Sequence, residues 1–156
     1  MAAIDIFNDI FNEAVKWLRP PIGAFGNYIV FEVSTKRVRT YDDYRRQSKA
    51  RYARHELVNQ TAVSEYLGRD LEQISFTMTF NRSLGVEPLD EAERVRELCH
   101  DGIADYFILG NRVIGDNLWV ISEVSEAVTA WDHSGHALVS NLDVTLTEYV
   151  ETYYDA

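Results

Sequence analysis

Four histidines and one cysteine are the side chains of this 156-residue chain best suited to acid–base, nucleophilic or metal chemistry. His133 and His136 lie beside Asp132, with a spacing that some metal sites use. A zinc site needs three or four converging ligands, however, and the segment from Trp131 to Gly135 has the composition of a hairpin turn. The sequence therefore predicts polar loop residues at this place and no metal.

His55 and Cys99 each have a neighbour that could assist catalysis. His55 is followed by Glu56, but no second histidine follows at the helical spacing of the zinc proteases, so we expect a strand residue with a hydrogen-bonded imidazole. Cys99 and His100 are adjacent on a predicted helix, where neighbouring side chains do not face each other. A small hydrolase acting through His55 or the His133/His136 pair stays open as an alternative.

The motifs of the large catalytic classes do not occur in the chain. There is no Gly-x-Gly-x-x-Gly, phosphate-loop or Gly-x-Ser-x-Gly pattern. A single cysteine leaves no intramolecular disulfide and too few thiols for a cysteine-based zinc site. We therefore expect neither an enzyme nor a bound cofactor.

A basic segment, residues 36–54, is the clearest local feature. It holds eight of the fifteen Lys and Arg residues against two acids, whereas the chain from Glu87 onward holds fifteen acids and three bases, and the net charge is −10. Opposite charges on one small chain favour contact between copies or with another charged partner. The candidate interface residues are Arg45, Arg46, Lys49, Arg51 and Arg54.

The same segment could instead grip phosphate, with Tyr41, Tyr44 and Tyr52 available for stacking on bases. A nucleic-acid-binding module is therefore the alternative from another functional class. The net charge of −10 opposes it, because such binders need a positive field.

Residues 4–18 read as an amphipathic helix that Pro20-Pro21 ends. We expect residues 1–21 to be a helical segment with a linker and residues 22–156 to be one domain. Phe7, Phe11 and Trp17 of this helix are candidates for docking on a neighbouring protein. The acidic N-terminus has no basic n-region and no run long enough for a membrane span, so cytoplasmic synthesis and no membrane partner are expected.

The rest of the chain reads mainly as strands. Strands are predicted for residues 28–33 and 71–80, weakly for 52–57 and 61–66, as a short hairpin over 105–114 with its turn at Gly110-Asn111, and as a long hairpin with arms 118–130 and 137–150. Alternation predicts a half-buried strand over 71–80, with one face formed by Ile74, Phe76, Met78 and Phe80. It also predicts that one face of the last arm is formed by Leu138, Leu142, Val144, Leu146 and Val150. One helix, with Asp90 as its N-cap, is predicted to end at Asp101-Gly102. The order lacks βαβ alternation and predicts an α+β fold that is mainly antiparallel.

From about residue 25 to 150, four-fifths of the chain, the sequence resembles the GpU-like tail proteins of contractile-tailed phages and related bacteriocin particles. The His-Glu pair before an alternating strand and the Gly followed by a Trp-Val-Ile strand are the most telling features. The matching pieces are residues 25–33, 52–57, 71–78, the helix around 95–98, residues 115–121 and the hairpin through Gly135.

The resemblance implies a structural virion protein without catalytic residues. It implies the tail-tube and hub fold, two packed β-sheets or a small barrel with one flanking helix, here with an extra N-terminal helix. Such subunits form six-fold rings near the junction of tail tube and baseplate hub, beside tube, hub and tape-measure proteins. The location would be the virion tail, after synthesis in the host bacterial cytoplasm, and DNA could pass the lumen without specific binding. A tail terminator or head–tail connector ring is the nearest alternative.

Overall fold

The computed structural model describes residues 23–33 and 38–151. The predicted helix over residues 4–18, with Phe7, Phe11 and Trp17, lies outside these residues, and so do Lys36 and Arg37 of the basic segment. The division into a segment 1–21 and a domain 22–156 therefore stays a prediction.

The described residues form eleven strands, one α-helix and one 3-10 turn. In chain order they are β1 Gly23–Phe25, β2 Ile29–Val33, β3 Val38–Gln47, β4 Ala50–His55, β5 Val63–Arg69, β6 Gln73–Asn81, the 3-10 turn Arg82–Leu84, α1 Pro88–His100, β7 Ala104–Asp105, β8 Phe107–Leu109, β9 Arg112–Val113, β10 Leu118–Trp131 and β11 Ala137–Tyr149. The predicted strands and the helix predicted to end at Asp101-Gly102 are present, with bounds shifted by a few residues, and β3 is a strand that the sequence reading did not predict.

Nine strands form one sheet in the order β7-β10-β11-β6-β3-β2-β1-β8-β9, while β4 and β5 pair only with each other. Every pairing is antiparallel. The predicted class, mainly antiparallel with one flanking helix, is confirmed, and the sheet curls into a half-barrel. A sandwich or a closed barrel stays a prediction. No helix in the described part of the chain is long and apolar enough to cross a membrane.

The core lies on one face of β6 and β11, because the apolar residues of these strands alternate with polar ones. The predicted buried face of β6, with Ile74, Phe76, Met78 and Phe80, is fully buried, and Leu142, Val144 and Leu146 of β11 lie beside it. The prediction that Val150 shares this face is wrong, since β11 ends at Tyr149 and Val150 is exposed.

The small strands at the end of the sheet fold back over this face. Phe107 of β8 stacks on Phe76 with 5.5 Å between ring centroids and 9° between ring planes. Gly110 and Asn111 both have positive φ, as the predicted tight turn between β8 and β9 requires. Strands β8 and β9, which we call the flap, thus cover the core on the side opposite β6.

Helix α1 covers the remaining part of the core with Ala92 and Val95. The prediction of Asp90 as N-cap is wrong: Glu87 occupies that position, because Pro88 can start the helix with its fixed φ and needs no hydrogen-bond partner for a missing N–H. The helix ends as predicted, with Ile103 N–H donating to Leu98 C=O and Gly102 at positive φ.

The Gly then Trp-Val-Ile motif has a packing role. Trp119 is fully buried and its indole N–H donates to Ile114 C=O at 2.7 Å. Gly115 has φ +75, and a Cβ there would lie 3.1 Å from the Trp119 ring. The glycine thus permits both the turn and the close approach of the indole.

Candidate assembly interface

Residues 38–81 form one long hairpin, of which only the half nearest its two ends belongs to the nine-stranded sheet. Its lower half is β3 paired with β6, and its upper half is β4 paired with β5 as a separate two-stranded ribbon. We call residues 50–69, which comprise β4, β5 and their connection, the arm. The arm begins where the pairing of β3 with β6 ends at Gln47 and Gln73.

Among the residues that the structure describes, no second layer covers either face of the arm. Tyr52 and Tyr66 are each 61% exposed and contact each other edge to face at 5.5 Å between centroids. Val63 and Leu67 are also largely exposed, and Val58 in the connection is 88% exposed. An isolated two-stranded ribbon is only marginally stable in water. Exposed apolar patches often mark sites of contact with another molecule, so the arm is a candidate contact surface.

The five candidate basic residues are all exposed, but they differ in their partners. Arg46 forms an ion pair with Glu72, and Arg54 forms one with Glu56. Arg45, Lys49 and Arg51 have no acidic partner among the described residues. An interface role for the five residues stays a prediction, and these three are the cations among them that form no ion pair within the described residues.

Two carboxylates fix the root of the arm to the sheet. Glu72, just before β6, accepts hydrogen bonds from Arg46 Nε at 2.8 Å and from Ser48 at 2.6 Å. Glu148 of β11 is only 3% exposed and accepts from Arg69, from Asn117 at 2.6 Å and from Glu72 N–H at 3.1 Å. Both strands of the hairpin are thus tied to β11 where the arm begins.

Hydrogen bonding keeps both carboxylates ionised. Burial alone would raise the pKa of Glu148, but the bonds from Asn117, Glu72 N–H and Arg69 together lower it. The Ser48 hydroxyl and the Arg46 guanidinium likewise lower the pKa of Glu72, against burial. The root of the arm is therefore held by charged acceptors at neutral pH.

The four-stranded part of the sheet, β10-β11-β6-β3, has two open edges. β3 pairs with β6 from Thr40 to Gln47, whereas β2 covers its other edge only at residues 38–39. β10 pairs with β11 along its length, whereas β7 covers its other edge only at Trp119 and Val120. In the described parts of the chain, no strand pairs with the outer edge of β3 over residues 42–47 or with the outer edge of β10 over residues 121–131.

Opposite charges lie at the same level on these two edges. Arg45 of β3 is opposite Ser75, Ser75 is opposite Thr145, and Thr145 is opposite Glu123 of β10. Directly opposed residues of antiparallel strands share a face, so Arg45 and Glu123 lie on the same face of the sheet, away from the core. Both are exposed.

The face away from the core is polar. Thr77 donates to Asp143 at 2.6 Å and Thr79 donates to Asn141 at 3.0 Å, which ties β6 to β11. Among the residues of this face, Arg45 is the cation, and the acids are Asp42, Asp143 and Glu123. The arrangement gives a hydrated surface with hydroxyl groups and a negative balance.

Two of the histidines, His55 and His136, contact carboxylates within their own hairpins. His55 contacts Glu65 across the arm at 2.9 Å, both exposed, which agrees with the predicted hydrogen-bonded imidazole. The N–H groups of His136 and Ser134 and the His136 ring bind Asp132 and lower the pKa of its carboxyl. Within the ranges that the structure describes, no three His, Cys, Asp or Glu side chains converge as metal ligands would.

Comparison with protein families gives a match over residues 27–151 to the family model of phage P2 GpU. The chain belongs to the phage P2 GpU family. The resemblance noted in the sequence is thereby confirmed over most of the chain. This GpU-family chain is a structural protein of a phage or phage-like tail, and its family consists of structural tail components rather than enzymes.

Two assembled particles contain chains similar to this GpU-family protein. A chain in the tail of an empty gene transfer agent particle, determined with helical refinement and C6 symmetry, is 16% identical, with 74% of this chain and 82% of that chain covered and a TM-score of 0.41. A chain in the native gene transfer agent virion is 13% identical, with 81% and 89% covered and a TM-score of 0.33. No curated protein matches the sequence significantly. The assignment rests on the family match.

Sequence reasoning on this GpU-family chain missed the carboxylate pair Glu72 and Glu148. The two residues are 76 positions apart, so no local pattern joins them. One signal was present, however: Glu148 continues the alternation of Leu142, Val144 and Leu146 on the buried face of β11. An acid in phase with a buried face indicates a paired carboxylate, since an isolated buried charge is costly.

Proposed function

We propose that this chain forms a ring at the junction of the tail tube and the baseplate hub of a contractile tail or related injection particle, and that it acts by assembly without catalysis. The observation that carries the proposal is the pair of open edges on β3 and β10, at opposite margins of one four-stranded sheet. A chain with two different unpaired strand edges can associate head to tail. Such a contact closes a ring if the rotation from one subunit to the next adds up to a full turn.

The strand directions suit such closure. β10, β11, β6 and β3 alternate in direction, so β3 of one copy and β10 of the next would be antiparallel when both copies share one axis. With the stagger in register that barrel closure requires, Arg45 of one copy would then lie near Glu123 of the next. Four strands from each of six copies give a barrel of about 24 strands, wider than the porins of 16 to 18 strands that already enclose water.

The polar face would line the channel of this ring. The core and α1 occupy the other face, which leaves the hydroxyl groups and acids for the lumen. A lumen with a negative balance repels DNA phosphates, so a genome could pass without being retained. Tube, hub and tape-measure proteins remain the proposed neighbours along the axis, with Phe7, Phe11 and Trp17 proposed as a contact to one of them.

The nucleic-acid alternative is less well supported by the geometry. Arg46 and Arg54 are neutralised within the chain, and Glu56 and Glu65 lie on the same ribbon as Arg51. A terminator or connector ring would use the same edges, and only the position in the particle separates it from the hub ring.

A charge exchange between the two edges tests the proposal. We expect Arg45→Glu and Glu123→Arg each to lower the ring fraction of the purified full-length chain about tenfold or more, because each places like charges across the interface. The double variant restores an opposite pair and should recover most of the ring. Rings that tolerate both single variants, or a double variant no better than either, would contradict closure through these edges.

A further inference from the structure

The outer edge of β10 is blocked at one end by the short strand β7. β7 consists of Ala104 and Asp105, which pair with Val120 and Trp119 of β10. It therefore occupies the place beside β10 that β3 of the next copy would take in the proposed ring. A strand that is added to this edge has to end before Val120.

The end of β3 lies at the same level of the sheet as this obstacle. Gln47, the last residue of β3, is opposite Gln73 of β6. Thr147 and Val120 follow in the same row, on β11 and β10. If neighbouring copies stood at equal height with their rows aligned, Gln47 of one copy would fall where Ala104 of the other already pairs with β10. The aligned contact is therefore excluded.

The lengths of the two free edges permit an offset in one direction. The free edge of β3 covers the six residues 42–47, and that of β10 covers the eleven residues 121–131. β3 of the next copy can thus slide towards Trp131 and keep its whole free edge against β10, but it cannot slide towards Val120. An offset by an odd number of residues would turn its polar face to the core side, so the permitted offsets are two and four residues.

An offset of this kind is what a closed barrel requires. Strands close into a barrel when they tilt against its axis and their pairing is staggered. Aligned strands would instead extend an open sheet from copy to copy. By blocking the aligned contact, β7 favours closure over open growth.

Lys49 has the position and the free charge to use this offset. It lines a cleft with Gln47 and Thr147 on the polar face, the face that carries Glu123. Neither Lys49 nor Glu123 forms an ion pair within the described residues. At an offset of two residues, Lys49 and Arg45 of one copy are both diagonal to Glu123 of the next, and at four residues Lys49 is directly opposite.

We infer that β7 is a register stop of the ring: it offsets each neighbouring copy by two or four residues towards Trp131 and thereby brings Lys49 of one copy to Glu123 of the next. The inference rests on the proposed ring. It adds the element that fixes the register and a second cation that recognises the neighbouring copy.

Disulfide cross-linking of the full-length chain measures the register separately from ring formation. Each variant carries Cys99→Ala, which removes the one native thiol, and combines Glu123→Cys with Arg45→Cys, Gln47→Cys or Lys49→Cys. These three partners report offsets of zero, two and four residues. Disulfides need Cα atoms about 4.4 to 6.8 Å apart, whereas diagonal neighbours lie about 7 to 8 Å apart, so each pair reports one register.

We expect the pair with Gln47→Cys or the pair with Lys49→Cys to give about ten times more cross-linked dimer than the pair with Arg45→Cys. Native mass spectrometry before oxidation should show the ring near 107 kDa, six times 17.9 kDa. Rings whose cross-links are strongest at Arg45→Cys, or equal at all three positions, would overturn the register stop and leave the ring standing. A wild-type chain that stays monomeric would overturn both together.

A charge reversal tests Lys49 by itself. We expect Lys49→Glu to lower the ring fraction about tenfold, because it places like charges across the contact. Arg112→Glu is the matched control, since Arg112 is an exposed cation of the flap and lies on neither β3 nor β10. It should leave the ring fraction unchanged. A Lys49→Glu variant that assembles as the control does would overturn the contact of Lys49 with Glu123.

Discussion

Glu148 is the side chain on which the placement of the arm most depends. It is buried, it is ionised, and it accepts hydrogen bonds from three separate parts of the chain: Arg69, Glu72 and Asn117. A glutamine of the same size would turn an N–H group towards donors that need an acceptor. The arm would then lose its connection to β11.

We therefore expect Glu148→Gln to lower the free energy of unfolding by about 1 to 3 kcal/mol, the range for hydrogen bonds to a charged group. Glu65→Gln is the matched control, since Glu65 lies exposed on the arm beside His55 and should change stability by less than about 0.5 kcal/mol. Urea unfolding measures both. Equal losses of unfolding free energy in the two variants would show that the buried carboxylate of Glu148 stabilises the fold no more than an exposed one does.

The difference between wild type and Glu148→Gln should depend on pH. The pKa of Glu148 and that of Glu72 are lowered on folding from the ordinary value of 4.5. Their stabilisation is fully present above that value and is lost as pH falls through the folded pKa. Stabilities of wild type and variant should thus converge as pH falls below 4.5 through the lowered pKa of the folded state, and a difference that grows as pH falls below 4.5 would contradict the assignment.

At the scale of elements, Gly115 forms the turn that precedes β10 and leaves room for the Trp119 ring. Alanine there would adopt a strained positive φ and also crowd the Trp119 ring, whereas alanine at Gly110, also at positive φ, would meet no atom within 4 Å. The two positions separate backbone strain from crowding.

We expect Gly110→Ala to cost about 1 to 2 kcal/mol through backbone strain, and Gly115→Ala to cost more, because it adds the contact with Trp119. Thermal unfolding and the near-ultraviolet circular dichroism of the buried indole report the two effects. Equal losses for both variants would mean that the space beside Trp119 is not tightly filled.

The sequence predicted elements well where one face is buried. The alternation in β6 and in β11 follows from a one-sided core, and the sequence predicted it correctly except at Val150, which lies beyond the end of β11. The arm gave only a weak signal, because Tyr52 and Tyr66 are exposed on a ribbon that has no buried face. Asp90 was misread as N-cap because a local cap pattern was given more weight than Pro88, which begins the helix two residues earlier.

At the scale of the whole molecule, the sequence showed that charge is unevenly distributed along the chain. It did not show where the opposite charges lie relative to each other in the fold. Only the strand register places Arg45 and Glu123 in one row at opposite margins of the sheet. Likewise, the order of strands, and not their number, leaves β3 and β10 open. Long-range strand pairing has no local signature in the sequence. The two edges that we propose for assembly could therefore be recognised only in the structure.

Native mass spectrometry of the purified full-length chain, at low and at moderate salt, tests the central claim most directly. The account predicts a closed species near 107 kDa, six times 17.9 kDa, whose share falls as salt screens the contact between Arg45 and Glu123. A chain that stays at 17.9 kDa in both conditions and at every concentration would contradict ring formation through its own sheet edges.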